Sequence, residues 1–266
     1  MRFAVFDGNS WHETEWYVST FDGVFAPVAL RVHKKKLHCA VVHADRDELT
    51  IYALDKDGDA PKEVTVVPSS GAFALIRGVA MVGSDLYVEA FGPLRVPELY
   101  ATSLGDDEPW ELVDESDDPS DDSCRSLITQ ACSKLSTEKG FSVSAFQSRA
   151  TLTAFRGKAW CVYDAGAPDN SLLWQTYALD AWSPVYRFGD TMCGVDPALC
   201  LYGDLLYCFH RGEDGEQLRW CATDGLSWSV AHDTGLKSVC TPAVRAFQGK
   251  LYCAYVPPPE VQHTIE

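Results

Sequence analysis

Two arginines, Arg31 and Arg245, hold the same place in two related segments, six residues before the apolar pairs Leu37-His38 and Leu251-Tyr252. A guanidinium is a permanent cation whose donors grip a carboxylate or phosphate through two parallel hydrogen bonds. Two such groups at one opening repel each other unless an anion stands between them or acids such as Glu89 lie nearby. A second set of polar residues reads His43, Asp45 and Arg46, then Tyr163 and Asp164, then His210, Arg211, Glu213 and Asp214. Histidine and carboxylates exchange protons near neutral pH, a charged fork binds diols, and an aromatic face packs a sugar ring. His210, Asp164 and Glu89 are therefore the acid–base candidates. Arg31, Arg245, His43, Arg46, Tyr163, His210 and Arg211 are the ligand-binding candidates.

Other chemistries have no signature here. The chain contains no Gly-x-Ser-x-Gly, His-Glu-x-x-His, phosphate loop or Gly-x-Gly-x-x-Gly, and no Cys-x-x-Cys. Asp55, Asp57 and Asp59 alternate along one turn, but the glycine among them is misplaced for a calcium loop, and the turn reads as a polar hairpin. No metal and no cofactor is expected.

These residues need a scaffold, and the sequence supplies one by repetition. The pairs Leu37-His38, Leu86-Tyr87, Ala159-Trp160, Leu206-Tyr207 and Leu251-Tyr252 are separated by 49, 73, 47 and 45 residues. A period near 45 to 50 residues built from four short strands is that of a propeller blade. The fold class expected is all-β, a five-bladed β-propeller with four-stranded blades forming a single domain over 1–266. The blade spanning 196–232 is the clearest copy, with strands at Ala198–Tyr202, Leu206–Arg211, Leu218–Thr223 and Trp228–Ala231. The others fall at 26–67, 75–113 and 149–190. The last copy stops at Val256 before Pro257-Pro258-Pro259, and Phe3–Trp11 superposes on Trp220–Trp228. N-terminal strands, about 1–18, should thus complete the blade begun at 241–256 and close the ring.

Stacking the blades sorts framework from exceptions. The column Cys39, Val88, Cys161, Cys208, Cys253 is a small apolar slot, so these thiols should be free, packed and too scattered to ligate a metal. Trp11, Trp182 and Trp228 recur at turns and read as framework. Leu30, Val32, Leu199, Leu201, Val244 and Ala246 should pack between blades, leaving Arg31, Ala80, Thr153, Cys200 and Arg245 toward the channel. Residues 187–193 read as a rim loop. The segment 104–147 is an acidic insertion in which Leu127, Ile128, Ala131, Cys132 and Leu135 have the spacing of a short amphipathic helix.

The net charge of −16 argues against nucleic acid and anionic membranes as partners. Most of it is local, because ten acids and no Lys or Arg lie between 101 and 124. No apolar run approaches the ~20 residues of a membrane span, and no leader-like segment precedes Phe3. A cytoplasmic product, or one secreted without a classical signal peptide, is expected.

The units Gln248-Gly-Lys-Leu-Tyr252, Gly203-Asp-Leu-Leu-Tyr207 and Asp224-Gly-Leu-Ser-Trp228 resemble those of fungal and bacterial tandem-repeat propeller lectins of the tachylectin type. That resemblance implies a carbohydrate-binding propeller without catalytic activity, its partner a glycan. The alternative is an enzyme with a single site at the channel mouth, acting on a small anionic or carboxylate-bearing substrate. Arg31 and Arg245 would then hold the anion, and the insertion would serve as a lid.

Overall fold

The computed structural model describes residues 1–17, 29–33, 35–43, 48–54, 62–68, 76–82, 85–91, 97–103, 111–112, 150–165, 170–179, 181–192, 196–212 and 216–259. Between 61 and 150, and at Arg31 and His43 among others, only the backbone is described. The expected helix of the insertion, Arg46 and the turn Asp55–Asp59 lie outside the described residues.

In chain order the strands are β1 (Arg2–Phe6), β2 (Trp11–Tyr17), β3 (Ala29–His33), β4 (Lys36–His43), β5 (Glu48–Leu54), β6 (Lys62–Pro68), β7 (Ile76–Val82), β8 (Asp85–Phe91), β9 (Pro97–Ser103) and β10 (Glu111–Leu112). They continue as β11 (Ala150–Phe155), β12 (Lys158–Asp164), β13 (Ser171–Ala178), β14 (Ala181–Trp182), β15 (Tyr186–Met192), β16 (Ala198–Tyr202), β17 (Leu205–Arg211), β18 (Gln217–Thr223), β19 (His232–Lys237), β20 (Ala243–Phe247) and β21 (Lys250–Tyr255). Among the described residues they form five antiparallel sheets: blade 1 from β3 to β6, blade 2 from β7 to β10, blade 3 from β11 to β15, blade 4 from β16 to β19, and a composite blade ordered β2-β1-β21-β20. The fold is the all-β five-bladed propeller.

The composite blade joins the two ends of the chain. β1 pairs with β21 in unbroken register from Arg2 opposite Tyr255 to Phe6 opposite Leu251. Phe3 and Ala4 are fully buried there. The Tyr255 hydroxyl donates to the Glu13 carboxylate on β2, which also meets Arg2 at 3.3 Å.

The turns follow from local chemistry. Arg156-Gly157 and Gln248-Gly249 have both central residues at positive φ (51° and 70°, 48° and 73°), the tight hairpin geometry that suits the right-handed strand twist and that glycine adopts without a Cβ clash. At Asp7 the carboxylate accepts the backbone N–H of Asn9 (2.8 Å) and Ser10 (3.0 Å). Those two bonds are the main reason its pKa falls to about 2.

Two expectations about strands are corrected. The fourth strand of blade 4 is β19, at 232–237; Trp228 makes only an isolated bridge to Thr223. The reason lies one residue on. Ser229 donates its N–H to the Ala222 carbonyl (2.8 Å), its Oγ accepts the Ala222 N–H (3.1 Å), and its hydroxyl donates to the Val230 carbonyl (2.9 Å). A side chain thereby replaces one rung of the ladder, and regular pairing resumes only at Trp220 opposite His232. Ser183 repeats this in blade 3, with Thr176 and Pro184 as partners, so that β15 occupies residues read as a loop. In the composite blade the equivalent residue is His12, and β2 runs unbroken from Trp11 to Tyr17.

The core lies between blades. Met1, Phe3, Ala243, Phe247, Tyr252 and Ala254 of the composite blade pack against Leu30, Leu37, Cys39, Val41 and Leu54 of blade 1. Its opposite face, with Phe6 and Leu251, meets Cys200, Tyr207 and Phe209 of blade 4. Blade 4 in turn sets Cys208, Cys221 and Trp228 against Val162, Leu172, Trp174 and Phe188 of blade 3. Both faces of a sheet are therefore buried. The column expected to face the channel belongs partly to this packing: Cys200 is 6 % exposed, while Leu201, expected between blades, is 43 % exposed. Strand twist turns the leucine out at this point and encloses the thiol.

Candidate functional site

The innermost strand of each blade is its first in sequence or, in the composite blade, β20, and β11, β16, β20, β3 and β7 lie side by side in that order. Their sequences are Ala-Thr-Leu-Thr-Ala-Phe, Ala-Leu-Cys-Leu-Tyr, Ala-Val-Arg-Ala-Phe, Ala-Leu-Arg-Val-His and Ile-Arg-Gly-Val-Ala-Met-Val. They carry three arginines, Arg31, Arg77 and Arg245, and not one Asp or Glu. In a chain of net charge −16 that contrast is local and sharp. Arg245 is the central residue of β20, flanked by blades on both sides, yet its side chain is exposed. Beside it Cys200, buried between blades, has its pKa raised to about 11 by desolvation, which the neighbouring Ala246 N–H and Arg245 charge only partly offset.

Arg31 stands on β3 opposite His38, the equivalent of Arg245 opposite Tyr252, so the repeat places both at the same level of their blades. Arg77 was missed by counting back from the apolar pair. The ladder passes from Gly78 opposite Glu89 to Ile76 opposite Ala90, leaving Arg77 as the extra residue of a β-bulge, and a fixed count cannot register an inserted residue. The Arg-Gly dipeptide at the start of an apolar strand was the available signal.

The structure separates the remaining candidates. His210 is fully enclosed, at 0 % exposure, and neither ring nitrogen has a hydrogen-bond partner among the described residues. Burial lowers its pKa to about 4, the Arg211 backbone opposing it and the charge of Arg219 adding a smaller lowering. An imidazole so placed cannot meet a substrate at the rim, and His210 is withdrawn as acid–base and binding residue. Tyr163 is half-buried and its hydroxyl donates to Gln175 Oε1 at 3.3 Å, which commits the ring to blade 3. Burial raises its pKa to about 12. Arg211 donates from Nη1 to the Val239 carbonyl at 3.4 Å, tying the end of β17 to the segment entering the composite blade. Asp164 ends β12 half-buried, opposite Leu172. His43 and Glu89 are placed by their strands alone, at the end of β4 and near the end of β8.

One further cluster imitates a catalytic triad. Ser10 Oγ lies 2.9 Å from His12 Nε2, and Asp7 Oδ2 lies 3.1 Å from the same nitrogen. A relay requires the acid on one ring nitrogen and the hydroxyl on the other, and here both share Nε2 on an exposed turn. Among the described residues no group of three or more His, Cys, Asp or Glu could hold a metal ion. No helix among them is long and apolar enough to cross a membrane. Cys39, Cys161, Cys208 and Cys253 are buried and essentially inaccessible, each in its own blade.

By sequence the chain matches neither a described family nor a curated protein. By shape it is similar to the GH43_1 enzyme from Xanthomonas citri (TM-score 0.49, 10% identity, 87% of this chain and 81% of that one). It is also similar to CoXyl43, a GH43 β-xylosidase/α-arabinofuranosidase from a compost microbial metagenome, solved with xylotriose (TM-score 0.49, 11% identity, 87% and 85%). A third is RS223-β-xylosidase (TM-score 0.47, 9% identity, 90% and 96%). These solved structures are glycoside hydrolases and not tachylectin-type lectins. The expectation of a lectin-like propeller without catalysis is corrected accordingly.

Proposed function

We propose that this chain is an enzyme with a single site at the mouth of its channel, acting on a small anionic or carboxylate-bearing substrate. The observation that carries the reading is the make-up of the innermost strands, with arginine at three places, carboxylates at none, and Arg245 exposed at mid-strand. Guanidinium groups gathered at one opening favour an anion, and the planar fork favours a carboxylate. The five inner strands differ from one another, so the wall forms one asymmetric site and not five equivalent ones. Asp164 and Glu89 remain the acid–base groups. Glycosidic hydrolysis by paired acids would have to draw both from outside the inner strands, where these two lie.

The test is thermal unfolding with and without galacturonate, citrate or phosphate, with xylose as neutral control. At about a hundred times Kd a ligand adds roughly 2.7 kcal/mol of stability, a shift of several degrees. Galacturonate should raise Tm in the parent protein and fail to do so in Arg245→Ala. A shift with xylose alone, or an anion shift indifferent to Arg245→Ala, would overturn the reading. Release of the aglycone from aryl glucuronides, followed in the same preparations, reports turnover.

A further inference from the structure

We propose that Cys208 and Cys221 are a redox-active pair, converted by a peroxide into a disulfide that staples β17 to β18 within blade 4. The inference is independent of the channel site and comes from the register of one hairpin. Cys208 on β17 stands directly opposite Cys221 on β18. Opposed residues of an antiparallel pair share a face, and both side chains lie in the cluster with Val162, Leu172 and Phe188 of blade 3. Directly opposed Cα atoms are about 4.5–5.5 Å apart, inside the roughly 4.4–6.8 Å that a disulfide spans. The Cys221 side chain is turned across the gap between the strands, its thiol donating to the Cys208 carbonyl at 3.9 Å. Among the described residues no other two cysteines are opposed in a ladder.

The second thiol is an exception in the repeat. Cys39, Cys161 and Cys253, the counterparts of Cys208, face Tyr52, Gln175 and Ala4 on the third strand of their blades. Side chains of such different size and polarity show that a blade has no packing need for cysteine at this place. The small apolar slot therefore accounts for Cys208 and leaves Cys221 without a structural reason. Cys200, the third cysteine on the strands of blade 4, stands opposite Tyr207 and packs with Phe6 and Leu251 of the composite blade, on the other face of the sheet.

Burial selects the oxidant. At 0 % and 1 % exposure the pair is closed to bulky reagents, so the oxidant must be small and must enter during local opening of the hairpin. Hydrogen peroxide is small enough. One sulfur, as its thiolate, attacks the peroxide and the O–O bond breaks; the sulfur becomes a sulfenic acid, and the hydroxide released takes up the thiol proton as water. The other thiol then attacks that sulfur, the S–S bond forms as the S–O bond breaks, and the departing hydroxide leaves with the second proton as water. Two electrons pass from the two thiols to the peroxide, giving one disulfide and two waters.

The experiment takes the full chain, fully reduced, exposes it to hydrogen peroxide, removes the peroxide with catalase, alkylates the remaining thiols in denaturant and digests with trypsin, which cuts between the two cysteines at Arg211 and Arg219. Mass spectrometry should find two peptides joined and separable by dithiothreitol, with fragmentation placing the bond between Cys208 and Cys221, while Cys161 and Cys253 are recovered alkylated. Because the bond closes a loop between residues thirteen apart, oxidation should raise Tm by at least about 3 °C, reversed by dithiothreitol. Cys221→Ala, which installs the residue found at Ala4, should lose that rise. Recovery of Cys208 and Cys221 as alkylated thiols while the more accessible Cys240 is oxidised would overturn the inference, as would a bond from either to a different cysteine or an equal Tm change in the parent and in Cys221→Ala. The peptide map of the parent decides the matter even where Cys221→Ala fails to fold.

Discussion

His210 makes the protein acid-labile by a predictable amount. The ring is wholly enclosed on β17, with neither nitrogen hydrogen-bonded among the described residues. Its pKa falls from 6.5 to about 4 on folding. The sign follows from proton counting. Between these values the unfolded chain binds a proton that the folded protein refuses, so the stability contributed by neutral His210 is complete above about pH 6.5 and is lost as pH falls toward 4. At about 1.36 kcal/mol per unit, a shift of roughly 2.5 units is worth about 3 kcal/mol at the limit, most of it already lost by pH 4.5. Equivalent places in blade 3 and the composite blade hold Tyr163 and Tyr255, so His210→Tyr is the conservative replacement. The assay is urea unfolding at pH 7.5 and pH 4.5, comparing the two proteins to cancel the other titrating groups. The parent should lose roughly 2–3 kcal/mol more than His210→Tyr over that range. Equal losses would refute the reasoning, because they would mean that the imidazole is hydrated or paired in the folded state.

Three other perturbations probe the frame. Phe3→Ala empties a fully buried place in the composite blade and should cost about 3–5 kcal/mol, read as a fall in Tm of roughly 6–20 °C; a drop below about 3 °C would mean that β1 is not integral to the closure. Ser229→Ala removes an acceptor for the Ala222 N–H and a donor to the Val230 carbonyl; it should cost about 1–2 kcal/mol in chemical denaturation, with Ser183→Ala matching it because the bonding is the same. Burial raises the thiol pKa of both Cys39 and Cys253, so Cys39, Cys161, Cys208 and Cys253 should resist an aromatic disulfide reagent at pH 8 until denaturant is added, whereas the more accessible Cys240 should react first.

The repeat was legible because a blade is a local object. Its turn chemistry at Gln248-Gly249, its apolar pair at Leu251-Tyr252 and its alternation are written within fifty residues, and comparing copies supplied the blade count and the joining of β1 to β21, while blade 3 carries a fifth strand that the copies did not foretell. The column logic also recovered Cys39, Cys161, Cys208 and Cys253 as core. It failed where one residue alters the hydrogen bonding. Ser229 and Ser183 use their own hydroxyls as rungs and delay the fourth strand, and Arg77 sits in a bulge that shifts the count by one. The site was less legible, because residues that share a motif do not share an environment. His210 and Arg211 are adjacent in sequence, but alternation sends them to opposite faces of one strand. Only the tertiary packing around β17 decides that the histidine is sealed away. By itself the sequence determined the blades, the joining of the two chain ends in one blade and the placing of Arg31 and Arg245 at one level of two blades, since these follow from period and register. Tertiary structure alone decided which polar groups meet solvent, because burial in a propeller is set by the neighbouring blade, which is distant in the chain.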